Sequence, residues 1–215
     1  MGAFLTPTIS LLPLYKDILS RVKSGSLLLD IGCYCGTDLR RLVIDGAPQT
    51  NIFGTDIVNH WELGFDLFRD KDKFSVKFIE ANVLDPNDEL QMLCGKIDII
   101  SATHLLHNWD WATQVQACVI ITSFSKVGTI VVGTQVGTKD MQARIRKIEE
   151  AGMSFSLHDG DSFGRLWREV GSITDTEWKT EVKFREWEEL GYTFGEVAYI
   201  GDDTALMQFE VTRIR

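Results

Sequence analysis

Hydrophobic residues along the chain follow two spacings, one typical of strands and the other of helices. Short apolar runs indicate buried strands, and between these runs apolar residues recur every third or fourth position, as on one face of a helix. The two spacings predict strands at 27–29, 51–56, 74–80, 96–101 and 129–133, and helices beginning near 38 and covering 62–68, 86–93 and 111–122. Strict alternation of this kind predicts a parallel sheet with right-handed crossovers.

The last third of the chain has a different pattern. A helical spacing at 162–170 is followed by alternating apolar residues at 178–184 and 205–211, which predict an antiparallel hairpin at one edge of the sheet. The charge-rich stretches 139–150 and 185–189 are predicted to form a solvated helix and a solvated loop or helix end. The expected fold is therefore α/β, a doubly wound, Rossmann-like and mostly parallel sheet of about seven strands with an antiparallel C-terminal hairpin.

Composition narrows the class of protein. The 215 residues contain no linker rich in proline, glycine or serine, so we expect one domain. With 31 acidic and 22 basic residues the formal net charge is −9, which disfavours nucleic acid as a partner. The sequence has no apolar run of about 18 residues and its start lacks the features of a signal peptide, so we expect a soluble, cytoplasmic protein without a membrane partner. The four cysteines form no C-x-x-C pair, which predicts free thiols and no metal site.

The first predicted strand leads into a turn from Gly32 to Gly36, at the place where doubly wound folds bind a nucleotide-like ligand. A dinucleotide fingerprint needs glycines where Tyr34 and Thr37 stand, and no Lys-Ser or Lys-Thr follows to make a phosphate-binding loop. An acid, Asp30, precedes the turn instead, and a carboxylate suits a cofactor with cationic groups, such as the ammonium and sulfonium of S-adenosylmethionine. An ordinary connection between a strand and a helix is the alternative.

Two further strand ends carry polar residues that suit a nucleoside. Asp56, which ends the second strand, can accept hydrogen bonds from both ribose hydroxyls, the alternative being a turn or helix-capping residue. Asn82, after the third strand, can pair with adenine while Val83 offers an apolar surface and its backbone amide, the alternative being a turn. Because the carboxyl ends of parallel strands meet at one edge of a sheet, we expect these residues to converge with Asp30.

The segment after the fourth strand holds the richest local chemistry. His104 and His107 can share a helical face, and a neutral imidazole near pH 7 can act as a base or orient a substrate. Packed structural histidines are the alternative for both. Trp109 offers an aromatic face to a sulfonium or packs in the core, and Asp110 is placed to cap a helix that begins at Trp111.

Taken in order, these motifs resemble those of the class I S-adenosylmethionine-dependent methyltransferases. They are Asp30–Gly36, Asp56, Ala81–Asp85 and Ile97–Ser101. Further stretches are similar to the small methyltransferases of fungal meroterpenoid and related secondary-metabolite clusters, so that the similarity spans nearly the whole chain. These stretches are Phe4–Pro7, Gly36–Val43, Asp66–Lys71, Gly133–Gly137 and Phe163–Trp167.

The resemblance implies a reaction and a set of contacts. S-adenosylmethionine would give a methyl group to a carboxyl or hydroxyl oxygen of a small polyketide-terpenoid intermediate and leave as S-adenosylhomocysteine. The implied cofactor contacts are Asp30, Gly32, Cys33, Asp56, Ile57, Asn82, Val83 and Ser101, and the implied acceptor side holds His104, His107 and Trp109. A carboxylate of pKa about 4 needs only alignment with the methyl group, whereas a phenol of pKa about 10 needs a general base such as one of the two histidines.

Two alternatives to methyl transfer stay open. One is a cyclase or isomerase built on the methyltransferase fold, and the other, an oxidoreductase using NAD, is disfavoured by Tyr34 and Thr37. Within the single expected domain, residues 1–25 are predicted to be a lid-like segment, 26–136 the cofactor-binding part, and 137–215 the C-terminal helix and hairpin. A second subunit of a homodimer is the alternative cover for the active site.

Overall fold

The computed structural model describes residues 5–139, 144–148, 153–190, 193–197, 201 and 203–215. Its strands are β1 (Leu28–Ile31), β2 (Ile52–Asp56), β3 (Lys77–Glu80), β4 (Ile97–Ser101), β5 (Ser125–Thr138), β6 (Arg144–Ile148), β7 (Met153–Leu157), β8 (Trp178–Arg185) and β9 (Thr204–Arg213). Its α-helices are α1 (Tyr15–Lys23), α2 (Thr37–Ile44), α3 (Trp61–Phe68), α4 (Asp88–Gln91), α5 (Trp111–Phe124), α6 (Gly160–Thr174) and α7 (Phe194–Val197). Short 3-10 helices lie at Thr8–Leu11, Gln49–Asn51, Leu106–Asn108 and Glu188–Leu190.

Seven of these strands form one sheet in the order β3-β2-β1-β4-β5-β9-β8. Strands β1 to β5 pair in parallel, β9 is antiparallel to β5, and β8 is antiparallel to β9. All residues of β1 are buried, as expected for a central strand that is covered on both faces. The predicted doubly wound sheet with its antiparallel C-terminal hairpin is confirmed.

Helices cover both faces of the sheet. α1, α2 and α3 pack on one face through apolar residues that include Ile18, Leu39 and Trp61. α5 and α6 pack on the other face through residues that include Ile121 and Trp167. Within the described ranges, no helix combines the length and the apolar character needed to cross a membrane.

The order of the strands reverses at β1, and this reversal fixes the position of the candidate site. β1 lies between β2, which follows it in the chain, and β4, which returns on its other side. The register places Asp30 of β1 beside Gly54 of β2 and Ser101 of β4. In doubly wound folds the crevice at such a reversal, beyond the carboxyl ends of the strands, is where ligands bind.

The prediction of a solvated helix at 139–150 is wrong for the part that the structure describes. Arg144–Ile148 forms strand β6, which pairs antiparallel with β7 in a separate two-stranded sheet. The rest of that stretch, apart from Lys139, lies outside the described residues. Strand formation depends on a pairing partner elsewhere in the chain, and the local pattern of charges carries no information about that partner.

Candidate functional site

The turn between β1 and α2 has a left-handed backbone at three positions. Gly32 and Gly36 have φ of +77° and +71°, and Tyr34 adopts φ of +49° between them. The amides of Gly32 and Cys33 donate to the carbonyl oxygen of Thr55 at 2.8 and 3.2 Å. Because a left-handed backbone is uncommon for residues other than glycine, the turn depends on such contacts with β2.

Tyr34 is fixed in this turn by its backbone and its ring. Its amide donates to Oδ2 of Asp56 at 2.8 Å, and its ring lies 4.5 Å from the ring of His60, centre to centre. The residue therefore forms part of the wall of the site.

A cavity of about 130 Å³ opens beside this turn. It is lined by Thr6, Thr8, Asp30, Gly32, Cys33, Tyr34, Thr37, Asp38, Thr103 and His104. Of the site residues that the sequence indicated, four line this cavity together, namely Asp30, Gly32, Cys33 and His104. No lysine or arginine is among the described residues that line this cavity.

Two buried carboxyl groups face this cavity. Asp30 is 4% exposed and Asp38 is 9% exposed. Burial raises the pKa of Asp30 to about 7, with a further contribution from the charge of Asp38, while the hydroxyl of Ser101 opposes the rise. Burial also raises the pKa of Asp38 to about 6, although the backbone of Ile9 and the side chain of Thr8 lower it. An arrangement of two buried acids without a basic partner is electrostatically suited to a cation.

Asp56 lies next to this cavity and not on its lining. The residue is half-buried, its Oδ2 accepts from the amide of Tyr34, and its Oδ1 accepts weakly from the amide of Val58 at 3.4 Å. Ile57 beside it is 62% exposed, so an apolar surface lies open at the same strand end. The carboxylate stabilises the turn and keeps lone pairs that can accept from further donors.

Asn82 makes the turn that follows β3. Its Oδ1 accepts from the amide of Leu84 at 3.0 Å, and the side chain is exposed. Val83 is buried. Asn82 is therefore a turn residue, as the alternative interpretation predicts. Its amide nitrogen can still donate a hydrogen bond, and its contact with adenine stays a prediction.

The two histidines do not share an α-helical face. His104 sits in a turn with a left-handed backbone, φ of +51°, and His107 lies in the 3-10 helix Leu106–Asn108. Their ring centres are 5.8 Å apart. A left-handed residue at 104 breaks the helical path, so the spacing of three positions does not carry over into a common α-helical face.

The pKa values of both imidazoles lie below the ordinary value of histidine, so both are neutral at pH 7. The pKa of His107, which is 4% exposed, falls to about 3 because of burial and the neighbouring His104. Surrounding protein atoms also lower the pKa of His104, although this residue is partly open to solvent. His104 lines the cavity and has the better access to a ligand.

The other residues of this segment have structural partners. Trp109 is half-buried against the core, and its carbonyl oxygen accepts from Nε2 of Gln114 at 2.9 Å. Asp110 caps α5 by accepting from the amide of Thr113 at 2.9 Å, as predicted. Among the described residues no group of histidine, cysteine and acidic side chains could hold a metal ion.

Several lining residues escaped the reasoning from sequence, above all Asp38. An acid in the first turn of a helix is common because the helix dipole stabilises it there, and that ordinary explanation hides a ligand-facing role. Thr6 and Thr8 belong to the predicted lid-like segment at 1–25, but no local pattern singles out these two residues as lining the cavity at the end of β1.

No protein-family model matches the chain. Individual curated proteins are similar to it. The O-methyltransferase atr3 of Stereocaulon alpinum is 37% identical over 98% of this chain and 61% of its own length. The methyltransferase adrK of Penicillium roqueforti is 36% identical over 87% of this chain and 67% of its own length. The chain thus spans about two thirds or less of these two relatives.

Solved structures share the fold. A 1,6-didemethyltoxoflavin-N1-methyltransferase of Burkholderia thailandensis, with bound 1,6-didemethyltoxoflavin and S-adenosylhomocysteine, has a TM-score of 0.66 at 13% identity and covers 99% of this chain and 79% of its own. The [4+2]-cyclase SpnF has a TM-score of 0.64 at 16% identity and covers 91% of this chain and 79% of its own. The ordered motifs, the sheet topology and the fungal relatives together place the chain in the class I S-adenosylmethionine-dependent methyltransferase family.

Proposed function

We propose that the chain binds S-adenosylmethionine and transfers its methyl group to an oxygen of a small-molecule acceptor in fungal secondary metabolism. The observation that carries this proposal is the pair of buried acids, Asp30 and Asp38, in a cavity whose described lining has no basic residue. A buried carboxylate pair is costly unless a cation joins it, and the cofactor brings an ammonium and a sulfonium.

The residues at the strand ends divide the work of holding the cofactor. Asp30 and Asp38 suit its ammonium group, and Asp56 suits the ribose hydroxyls. Ile57 offers apolar surface for adenine, Val83 suits it through its backbone amide, and the amide nitrogen of Asn82 can serve as a donor. When bound, the cofactor supplies the methyl group on its sulfonium.

The acceptor group decides what the protein itself must do. A carboxylate is already anionic at neutral pH, so positioning in a site without water supplies the rate. A hydroxyl needs a proton acceptor, and the exposed, neutral His104 on the cavity suits that role better than the buried His107. Acceptors of polyketide-terpenoid type are part of this proposal, supported by the resemblance of the sequence motifs to meroterpenoid methyltransferases. A homodimer, in which a second subunit would help to cover the active site, is also part of it.

Calorimetric titration with S-adenosylhomocysteine tests the cofactor claim. We expect saturable binding by the wild type and binding weakened by about tenfold or more in D30N, because the variant loses a charge-assisted contact. The matched control is D17N, since Asp17 is an exposed acid on α1 away from the cavity. Folded protein that shows no binding at millimolar concentration would refute the proposal.

A second candidate is a cyclase or isomerase on the same fold, favoured by Tyr34 in the wall of the site and by the likeness of the fold to SpnF. Incubating candidate acceptors with and without S-adenosylmethionine separates the two functions. Methyl transfer requires the cofactor and adds one methyl group to the product. A product of unchanged mass that forms without the cofactor favours the cyclase or isomerase.

A further inference from the structure

The N-terminal segment Leu5–Leu12 lines one part of the cavity and is held at two places along its length. Thr6 and Thr8 line the cavity, while Ile9 is buried in the core that covers one face of the sheet. At the far end of the segment, the carbonyl oxygen of Leu11 accepts from Nε2 of Gln208 on β9 at 3.0 Å. The segment therefore runs from α2 to the antiparallel side of the sheet.

Asp38 fastens the near side of the segment with both oxygens of its carboxyl group. Oδ2 accepts from the hydroxyl of Thr8 and Oδ1 accepts from the amide of Ile9, each at 3.1 Å. The same side chain lines the cavity together with Asp30. The carboxyl group of Asp38 thus both holds the segment in place and contributes to the negative charge of the cavity.

The docked segment has two opposite effects on the charge of Asp38, because hydrogen bonds from Thr8 and Ile9 favour the carboxylate while burial disfavours it. The docked segment keeps Asp38 buried near a second carboxyl group, Asp30, and the charge of Asp56 adds to the repulsion on Asp30. The other titratable groups on the cavity are Cys33 and Tyr34 in the turn and His104 after β4. None of these described groups supplies a positive charge at pH 7.

We propose that Asp38 couples binding of the cofactor's ammonium group to docking of the segment Leu5–Leu12 over the cavity. The proposal rests on the proposed function, because it takes the ammonium of an S-adenosyl compound as the cation. A cation that relieves the repulsion favours the docked segment, and by linkage the docked segment favours the cation.

Two probes separate the contribution of the ammonium group from that of the nucleoside. S-adenosylhomocysteine carries the amino-acid part, whereas 5′-methylthioadenosine keeps the nucleoside and the thioether and lacks the ammonium and carboxylate. We expect D38N to bind S-adenosylhomocysteine about tenfold more weakly than the wild type and to bind 5′-methylthioadenosine equally well. D17N removes the same charge from an exposed position on α1, and it should bind both probes like the wild type.

Hydrogen exchange at the amide of Ile9 measures the docking directly, because this amide donates to Asp38. In the wild type, S-adenosylhomocysteine should slow the exchange and 5′-methylthioadenosine should not. D38N should lose this response. T8V keeps the carboxylate of Asp38 and removes the hydrogen bond from the hydroxyl of Thr8. It should bind S-adenosylhomocysteine with a smaller gain in protection of the Ile9 amide. If D38N fails to fold, T8V alone tests the coupling.

The outcomes separate the two proposals. If the wild type binds neither probe, the proposed function fails, and this inference fails with it. If the wild type binds S-adenosylhomocysteine and D38N binds it equally well, only the coupling is refuted. Equal protection of Ile9 by both probes, or a response of T8V equal to that of the wild type, also refutes the coupling.

Discussion

At the scale of single residues, the carboxylate of Asp56 accepts hydrogen bonds in two roles, one structural and one proposed for the cofactor. It holds the left-handed Tyr34 by accepting from its amide, and in the proposed function it also accepts from the ribose. An asparagine at this position keeps the size of the side chain and loses the charge that strengthens both sets of hydrogen bonds.

We expect D56N to weaken S-adenosylhomocysteine and 5′-methylthioadenosine alike, by about tenfold each, because both probes carry the ribose. Calorimetry with both probes checks this expectation, and D66N, which removes an exposed acid on α3, is the control. Unchanged affinity for 5′-methylthioadenosine would contradict a ribose contact at Asp56.

The residues that the sequence identified share one property. Asp30 and Asp56 follow apolar runs that predict parallel strands, and the ends of such strands meet at one edge of the sheet. Asp38 and Thr8 became visible only in three dimensions, since their contact joins segments 30 residues apart in the chain. Local patterns report strand ends well and report such tertiary contacts poorly.

At the scale of elements, Arg40 joins α2 to the turn before it and to the segment after α3. Its guanidinium forms an ion pair with Asp70, with 2.7 Å between Nε and Oδ2, and donates to the carbonyl oxygen of Cys35. It also lies over the rings of Phe74 and Phe68, at 4.2 and 4.7 Å from their centres. Arg40 is 4% exposed, so its guanidinium is a buried cation whose charge is balanced by Asp70 and by the contacts with the two rings.

We expect R40M to lower the free energy of unfolding by about 3 kcal/mol, because it leaves the carboxylate of Asp70 without its partner. Urea denaturation measures the change. R41M is the matched control, since Arg41 pairs with Asp45 on the exposed side of the same helix and its loss should have a much smaller effect. Equal effects of the two variants would show that burial of the Arg40 ion pair contributes little.

Apolar runs predicted the central strands because those strands are covered on both faces. They failed at β6, where pairing with β7 determines the structure, and they fell short at β5, which extends over Ser125–Thr138 although the sequence indicated 129–133. The residues of β6 and residues 134–138 of β5 pair with strands that follow later in the chain, whereas Ser125 at the start of β5 pairs with Ile97 of β4. Register with a distant partner is the information that a single strand pattern lacks.

At the scale of the whole molecule, buried titratable groups make stability depend on pH in two opposing ways. The raised pKa values of Asp30 and Asp38 mean that the ligand-free fold loses stability as pH rises from about 4, the value in an unfolded chain, to about 7. Burial lowers the pKa of His107 to about 3 and that of His158 to about 4, so the fold loses stability as pH falls below about 6.5.

A variant that cannot titrate at position 38 isolates one of these contributions. We expect the stability of D38N relative to the wild type to increase between about pH 4 and pH 6, because only the wild type acquires the buried charge in this range. Urea denaturation across this range, with D17N as the control, measures the difference. Parallel pH profiles of D38N and the wild type would contradict a raised pKa at Asp38.

The long β5 strand reaches beyond the parallel part of the sheet. β5 leaves its parallel pairing with β4 at Val132 and continues beside β9 to Thr138, so that two strands extend roughly 20 Å beyond the parallel part. The acids that suit the cofactor belong to β1, β2 and α2, and none of them lies on this extension. Sequence changes on this extension can therefore alter β5 and β9 while the acids that are proposed to hold the cofactor stay in place.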